Sequence, residues 1–330
     1  MDWLNQQPTS SRQAWLDQIH KENLNSFNAI QFHEIQKNIQ GLSFATSEDL
    51  KNCHNNFTLR RPNNHWKIGI EILEDELTEL KFSLDYALTH GAEYIHLPWY
   101  VLKNKTDVEY LFNGIFLDMI SINFNFNHFE IDGILKLLEN IPSSSILNIN
   151  RTDILQPKEL KALIKSKSQI SYTFKLSNLD QCISILHQIK NDQQDEVDLS
   201  RKFIFHFHYL FLQNIASFRA IRKILQDEKV SGLYEIQIDP SCILSDINQN
   251  LISFSSIALS ASLSGPDIIT LPRYDSISEN KSKNWLRNSL HLQSILKLES
   301  NLDHVNDPLS GSYYVEDLTE KIYQYLISHL

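Results

Sequence analysis

His206 and His208 stand two residues apart in an aromatic run, Phe203-Ile204-Phe205-His206-Phe207-His208. In an extended strand that spacing puts both imidazoles on one face, as a metal pair requires. No third ligand stands close to them in sequence, and two polar groups in one hydrogen-bonded network would show the same spacing. Charged residues elsewhere alternate in the same way: Lys67 and Glu71 in Trp66-Lys67-Ile68-Gly69-Ile70-Glu71-Ile72, Lys175 after Tyr172-Thr173-Phe174, and Glu235 and Asp239 around Ile236-Gln237-Ile238. No Walker loop, G-x-S-x-G or H-E-x-x-H occurs. Asp303-His304 and Arg60-Arg61 read as solvated surface pairs. Cys53, Cys182 and Cys242 are far apart and form no C-x-x-C pair, so a redox or zinc role is not indicated.

The elements that must position these residues repeat regularly. Strand-like runs fall at about 66–72, 93–99, 117–125, 145–151, 170–176, 203–209, 234–239 and 267–272. Helical patterns lie between them at about 74–90, 105–114, 131–140, 157–166, 179–190, 212–227 and 246–263, with an eighth at about 282–299. Eight strand–helix units in series are the pattern of a (β/α)8 barrel, and their regularity favours closure over a doubly wound open sheet. Residues 1–64 form an N-terminal arm, with Trp15, Leu16 and Ile19 at helical spacing from about Ser11 to Asn23, and residues 65–330 form the barrel. The segment 191–200 reads as a polar loop. The strands alternate apolar and polar side chains. The apolar face must meet the apolar stripes of the helices, so the polar face points into the barrel. An open antiparallel sheet with one solvated face is the alternative reading.

The chain has 330 residues, enough for one large barrel with an extension or for two domains, and 42% hydrophobic residues, enough for a sizeable core. A net charge of −10 argues against nucleic acid and anionic membranes as partners. The N-terminus lacks a basic region followed by an apolar one, and apolar runs are broken by Ser and Asn. The expectation is a cytoplasmic protein with no membrane span.

The most specific feature is the C-terminal run. Arg287-Asn288, then Ile295-Leu296-Lys297-Leu298-Glu299-Ser300, then Asp307-Pro308-Leu309-Ser310-Gly311-Ser312-Tyr313-Tyr314-Val315-Glu316-Asp317-Leu318-Thr319 resembles the methylmalonyl-CoA mutase family. Ile215-Ala216-Ser217-Phe218-Arg219-Ala220-Ile221-Arg222 resembles the family's helix after the sixth strand. Asn250-Leu251-Ile252, Leu263-Ser264-Gly265-Pro266-Asp267 and Leu271-Pro272-Arg273-Tyr274-Asp275 resemble its following segments. The clear likeness covers residues from about 210 onward.

In that family small hydroxyl side chains line a tunnel along the barrel axis, through which the pantetheine arm of coenzyme A threads. Here larger polar groups stand on the inward face. The expectation is therefore a plug built from Lys67, Glu71, His96, Asn123, Asn148, Lys175, His206, His208, Glu235 and Asp239, with charges alternating in sign and no open channel. The resemblance also marks departures. Glu71 stands where the family has the tyrosine beside the cobalamin, and Leu176 where it has the histidine that binds the thioester. Ser253 and Ser264 replace an arginine and a glycine, and no D-x-H-x-x-G cobalt-binding motif occurs. After Leu330 no residues remain for a cobalamin domain. The resemblance thus implies a divergent, shortened, non-catalytic small subunit of a heterodimeric mutase. It would hold no catalytic, cofactor or metal site, and adenosylcobalamin would sit on the catalytic large subunit. Two alternatives stand beside it: a barrel that binds acyl-CoA and works with a separate cobalamin-binding chain, and an orphan scaffold.

Overall fold

The computed structural model describes residues 11–22, 32–36, 39–47, 49, 64–126, 146–150, 168–194, 200–278 and 284–330. Eight parallel strands close into a barrel: β3 (Lys67–Glu71), β4 (Tyr94–Leu97), β5 (Ser121–Phe126), β6 (Ile146–Asn150), β7 (Ser168–Lys175), β8 (Ser200–Phe207), β9 (Leu233–Ile238) and β10 (Ile268–Leu271), with β10 pairing to both β9 and β3. The closed α/β barrel expected from the sequence is the fold, and the open-sheet alternatives are set aside.

Parity decides what goes where. On β8, Phe203, Phe205 and Phe207 are fully buried on the outer face. Phe205 stacks on Phe174 of β7 at 4.9 Å and meets Phe218 edge-on at 4.7 Å. Phe218 lies on α5 (Phe211–Asp227), which follows β8. The helix α2 (Leu77–Thr89) buries Leu80, Leu84 and Ala87 at helical spacing. Between α2 and the later helices, α3 (Lys105–Phe112) starts at Asn104, whose side chain accepts from Asp107 N in a capping box. The helices α4 (Leu179–Gln194), α6 (Ile247–Ser264) and α7 (Trp285–Ser294) cover further strands. Asp246 caps the N-terminus of α6 and Gly265, at φ +72°, ends it. A π turn, Ile295–Glu299, continues α7.

Two regions differ from the sequence expectation. The segment 191–200 is not all loop: α4 runs to Gln194 and β8 starts at Ser200, with the last turn of α4 tied to β7 where the Tyr172 hydroxyl donates to the buried Asp192 at 2.6 Å. The residues after Ser312 form a helix, α8 (Tyr313–Ile327), whose Val315, Leu318, Ile322 and Leu326 are buried. The helices expected at 131–140 and 157–166 lie outside the described residues.

The arm contains α1 (Arg12–Glu22) and a hairpin of β1 (Phe32–Gln36) and β2 (Ile39–Leu42). Trp15 of α1 stacks on Phe44 at 5.2 Å, and Arg12 pairs with Asp49 at 2.6 Å. The hairpin touches the last helix, where Lys321 Nζ donates to Gln40 O at 3.1 Å.

Candidate functional site

The strand ladders place the inward residues on successive rungs. Lys175 pairs with His206, His206 with Gln237, Gln237 with Thr270, Thr270 with Gly69 and Gly69 with Tyr94. Because neighbours on a rung share a face, this row crosses six strands on the inside of the barrel. Gly69 is required in it. A Cβ there would stand 2.4 Å from Thr270 Oγ1 and 2.7 Å from the Ile269 carbonyl oxygen.

The core of the axis is an ion cluster. Glu235, fully buried, accepts from His96 Nε2 and from Gln237 Nε2, each at 2.7 Å, and pairs with the equally buried Lys202. Burial alone would raise the Glu235 carboxyl, but His96 and Lys202 hold it well below the usual carboxylate range. Burial lowers the Lys202 ammonium, and the Glu235 carboxylate opposes that. Lys202 Nζ also lies 4.9 Å from the centre of the Tyr94 ring, and Tyr94 donates its hydroxyl to Asn123 Oδ1 at 2.7 Å. His96, Asn123, Lys202 and Glu235 are at most 2% exposed, so the axis is filled at their level.

Above this cluster the barrel is open. A cavity of about 670 Å³ lies at the C-terminal ends of β7, β8, β9, β10 and β3. Lys175, His206, Thr270 and Glu71 line it beside Ile204, Ile243 and Leu73. Burial drives the Glu71 carboxyl above its ordinary value; His96 opposes this and Glu235 reinforces it. Burial also lowers His206, against the pull of Asp239. Arg273 on the rim is already engaged by Asp275 at 2.5 Å and Glu74 at 3.2 Å.

The structure brings together only part of the expected plug. His96, Asn123 and Glu235 meet on the axis. Lys67 does not join them: it is exposed at the N-terminal mouth, where it donates to Ser121 Oγ at 3.0 Å. Lys175 is exposed at the opposite mouth, because it is the last residue of β7. His208 lies past the end of β8, buried, with Nδ1 accepting from Leu210 N at 3.1 Å. Asp239 follows β9 and accepts from both the backbone and the hydroxyl of Ser241. Asn148 occupies the rung opposite Gln169, and its side chain lies outside the described residues. The expected sign alternation of Lys67 and Lys175 against the acids is therefore corrected, as is the expectation of a completely filled axis. The cation that neutralises Glu235 is Lys202, which the sequence reading missed by starting this strand at 203. Its parity with His206 was the available signal. Among the described residues no group of three or more His, Cys, Asp or Glu is arranged to hold a metal ion.

The C-terminal signature has a structural explanation. Arg219 of α5 is 1% exposed and is gripped by Asp307 and by Glu316 Oε1, the latter at 2.7 Å. Glu316 also accepts from Gly311 N at 3.1 Å, where φ is +83°. Lys223, one turn further along α5, pairs with Glu320. The aspartate, glycine and glutamate of the signature thus form one clamp that fastens α8 to α5. Asn250 acts in the same way: its side chain donates to the carbonyls of Leu244 at 2.6 Å and Tyr274 at 2.7 Å.

Comparison with known proteins agrees with that signature. Residues 190–330 match the family described as methylmalonyl-CoA mutase. A methylmalonyl-CoA mutase small subunit from Porphyromonas gingivalis is 24% identical over 203 residues, which is 57% of this chain and 31% of that protein. A 2-hydroxyisobutanoyl-CoA mutase large subunit from Aquincola tertiaricarbonis is 30% identical over 132 residues, 35% of this chain and 24% of that protein. The matched stretches therefore span a third or less of the relatives' own length. Among solved structures, a Yersinia pestis dihydropteroate synthase aligns with a TM-score of 0.49 at 12% identity, over 72% of this chain and 93% of that one. Among the described residues no helix is long and apolar enough to cross a membrane.

Proposed function

We propose that this chain, whose residues 190–330 match the methylmalonyl-CoA mutase family, serves as the non-catalytic small subunit of a heterodimeric mutase whose large subunit isomerises the acyl-CoA. The observation that carries the reading is the filled axis. His96, Lys202 and Glu235 occupy the level through which a threaded pantetheine arm would have to pass. Opening that level would strand charges in a low-dielectric interior, at a cost of several kcal/mol per ion.

The position of Glu71 also favours placing adenosylcobalamin on the partner. The sequence lacks D-x-H-x-x-G, and the position of the family's tyrosine beside the corrin is held by Glu71. The cobalamin that supplies the radical is assigned to the partner. The small-subunit relative supports a structural role, in which the arm and one barrel face dock on the large subunit in the cytoplasm. The acyl-CoA-binding alternative needs a bore that His96, Lys202 and Glu235 fill.

The test is direct. The purified chain, given adenosylcobalamin and methylmalonyl-CoA, is expected to yield no succinyl-CoA. Turnover by the chain alone would overturn the proposal.

A further inference from the structure

The barrel closes at one seam. Its other neighbouring strands follow one another in the chain, but β10, the last, pairs with β3, the first. The helices that follow those two strands, α7 and α2, touch outside the seam. Two exposed histidines meet there: His90, the C-cap of α2, and His291 in the last turn of α7. Their ring centroids are 6.5 Å apart, with the planes at 39°. The His90 ring is held in place. It stacks on Tyr86 at 3.9 Å, with the planes 14° apart, and its Nδ1 lies 2.8 Å from the Tyr86 carbonyl oxygen. A carbonyl only accepts, so Nδ1 carries the proton and the lone pair of the neutral ring sits on Nε2. A metal-ligating histidine is oriented in the same way, by donating its other ring nitrogen to a carbonyl or carboxylate. Nothing among the described residues ties the ring of His291 by a hydrogen bond or an ion pair, which leaves it free to turn a nitrogen toward His90.

From this pair we infer that His90 and His291 together bind one divalent transition-metal ion, zinc being the type. With each nitrogen about 2.0–2.1 Å from the ion, a tetrahedral angle puts the two ring centroids about 5 Å apart, so a ring movement of about 1 Å completes the pair. Water fills the remaining positions, and with two protein ligands the site is weaker than a four-ligand structural zinc site. The ion would pin α2 to α7 across the closing seam. It would thereby close a loop of about 200 residues, and long closures are those from which a metal clip gains most. The inference does not rest on the subunit reading, and either can fail without the other.

Titration calorimetry of the untagged full-length chain with zinc chloride at pH 7.5 tests it, with thermal unfolding as a second readout. One ion per chain is expected, with a Kd below about 100 μM, and Tm should rise with zinc and return with EDTA. Both histidines are exposed, so His90→Gln and His291→Gln should fold. Each should weaken binding about tenfold or more and remove the rise in Tm. His329→Gln is the control. His329 makes the same contact at the end of α8, with Nδ1 2.8 Å from the Tyr325 carbonyl oxygen, and its loss should change neither readout. No binding up to about 1 mM zinc would overturn the inference, as would binding that either His90→Gln or His291→Gln leaves at the wild-type level.

Discussion

At the residue scale the ion cluster makes unequal predictions for lysines that look alike in the sequence. Lys202 is buried against Glu235, so Lys202→Met leaves a buried carboxylate with a lost partner and should cost roughly 3–5 kcal/mol in urea unfolding. Lys175 is exposed, and Lys175→Met should shift stability by less than about 0.5 kcal/mol. Equal costs would mean that the two lysines have been wrongly distinguished. Gly69→Ala forces a methyl group against Thr270 and the Ile269 carbonyl, and should destabilise by about 1–3 kcal/mol or more. Strand parity revealed in advance which residues face inward, including His96, Asn123 and Glu235. It could not reveal depth along the axis. Depth depends on the stagger of eight strands and on where each strand starts, and for that reason Lys67 and Lys175 were placed with the acids while Lys202 was overlooked.

At the element scale the signature around Asp307 and Glu316 is a fastening between α5 and α8. Arg219→Met should release α8, at roughly 3–5 kcal/mol, because two carboxylates lose a buried guanidinium. Hydrogen exchange should then show lost protection concentrated in residues 313–327; unchanged protection there would rule out the clamp. The order of strands and helices was legible because the period switches cleanly between two and 3.6 residues. The helix after Ser312 was not among the elements that the periodicity marked, and its role shows only where Glu316 reaches back to Arg219. The arm is a separate question. Its Trp15–Phe44 stack and the Lys321–Gln40 contact show a locally built surface. Deleting residues 1–50 should weaken association with a large subunit, and unchanged association would deny the arm a docking role.

At the scale of the whole molecule, stability should depend on pH through imidazoles whose proton affinity burial lowers. Burial lowers His206 and His208, with Asp239 opposing in both cases. Near pH 6.5 and below, the unfolded chain takes up protons that the folded chain refuses. Stability is therefore complete above about pH 7 and falls as pH declines, by up to about 1.4 kcal/mol per pH unit for each imidazole. Glu235, held low by His96 and Lys202 despite its burial, adds a loss in the same direction below about pH 4. Glu71, raised by burial, works the opposite way as pH rises through the carboxylate range. Urea midpoints at pH 7.5 and 5.5 should differ, and less so in the His206→Gln, His208→Gln double variant. A full drop in that variant would assign the effect to other histidines.

The central claim is that this barrel works beside a catalytic chain. It is tested most directly by affinity capture of the tagged full-length protein from its native source, with identification and assay of what is bound. The account predicts one larger chain in equal amount that carries D-x-H-x-x-G and supports adenosylcobalamin-dependent mutase turnover in the complex. Recovery of the chain alone, with the source's mutase activity left entirely in the unbound fraction, would contradict it.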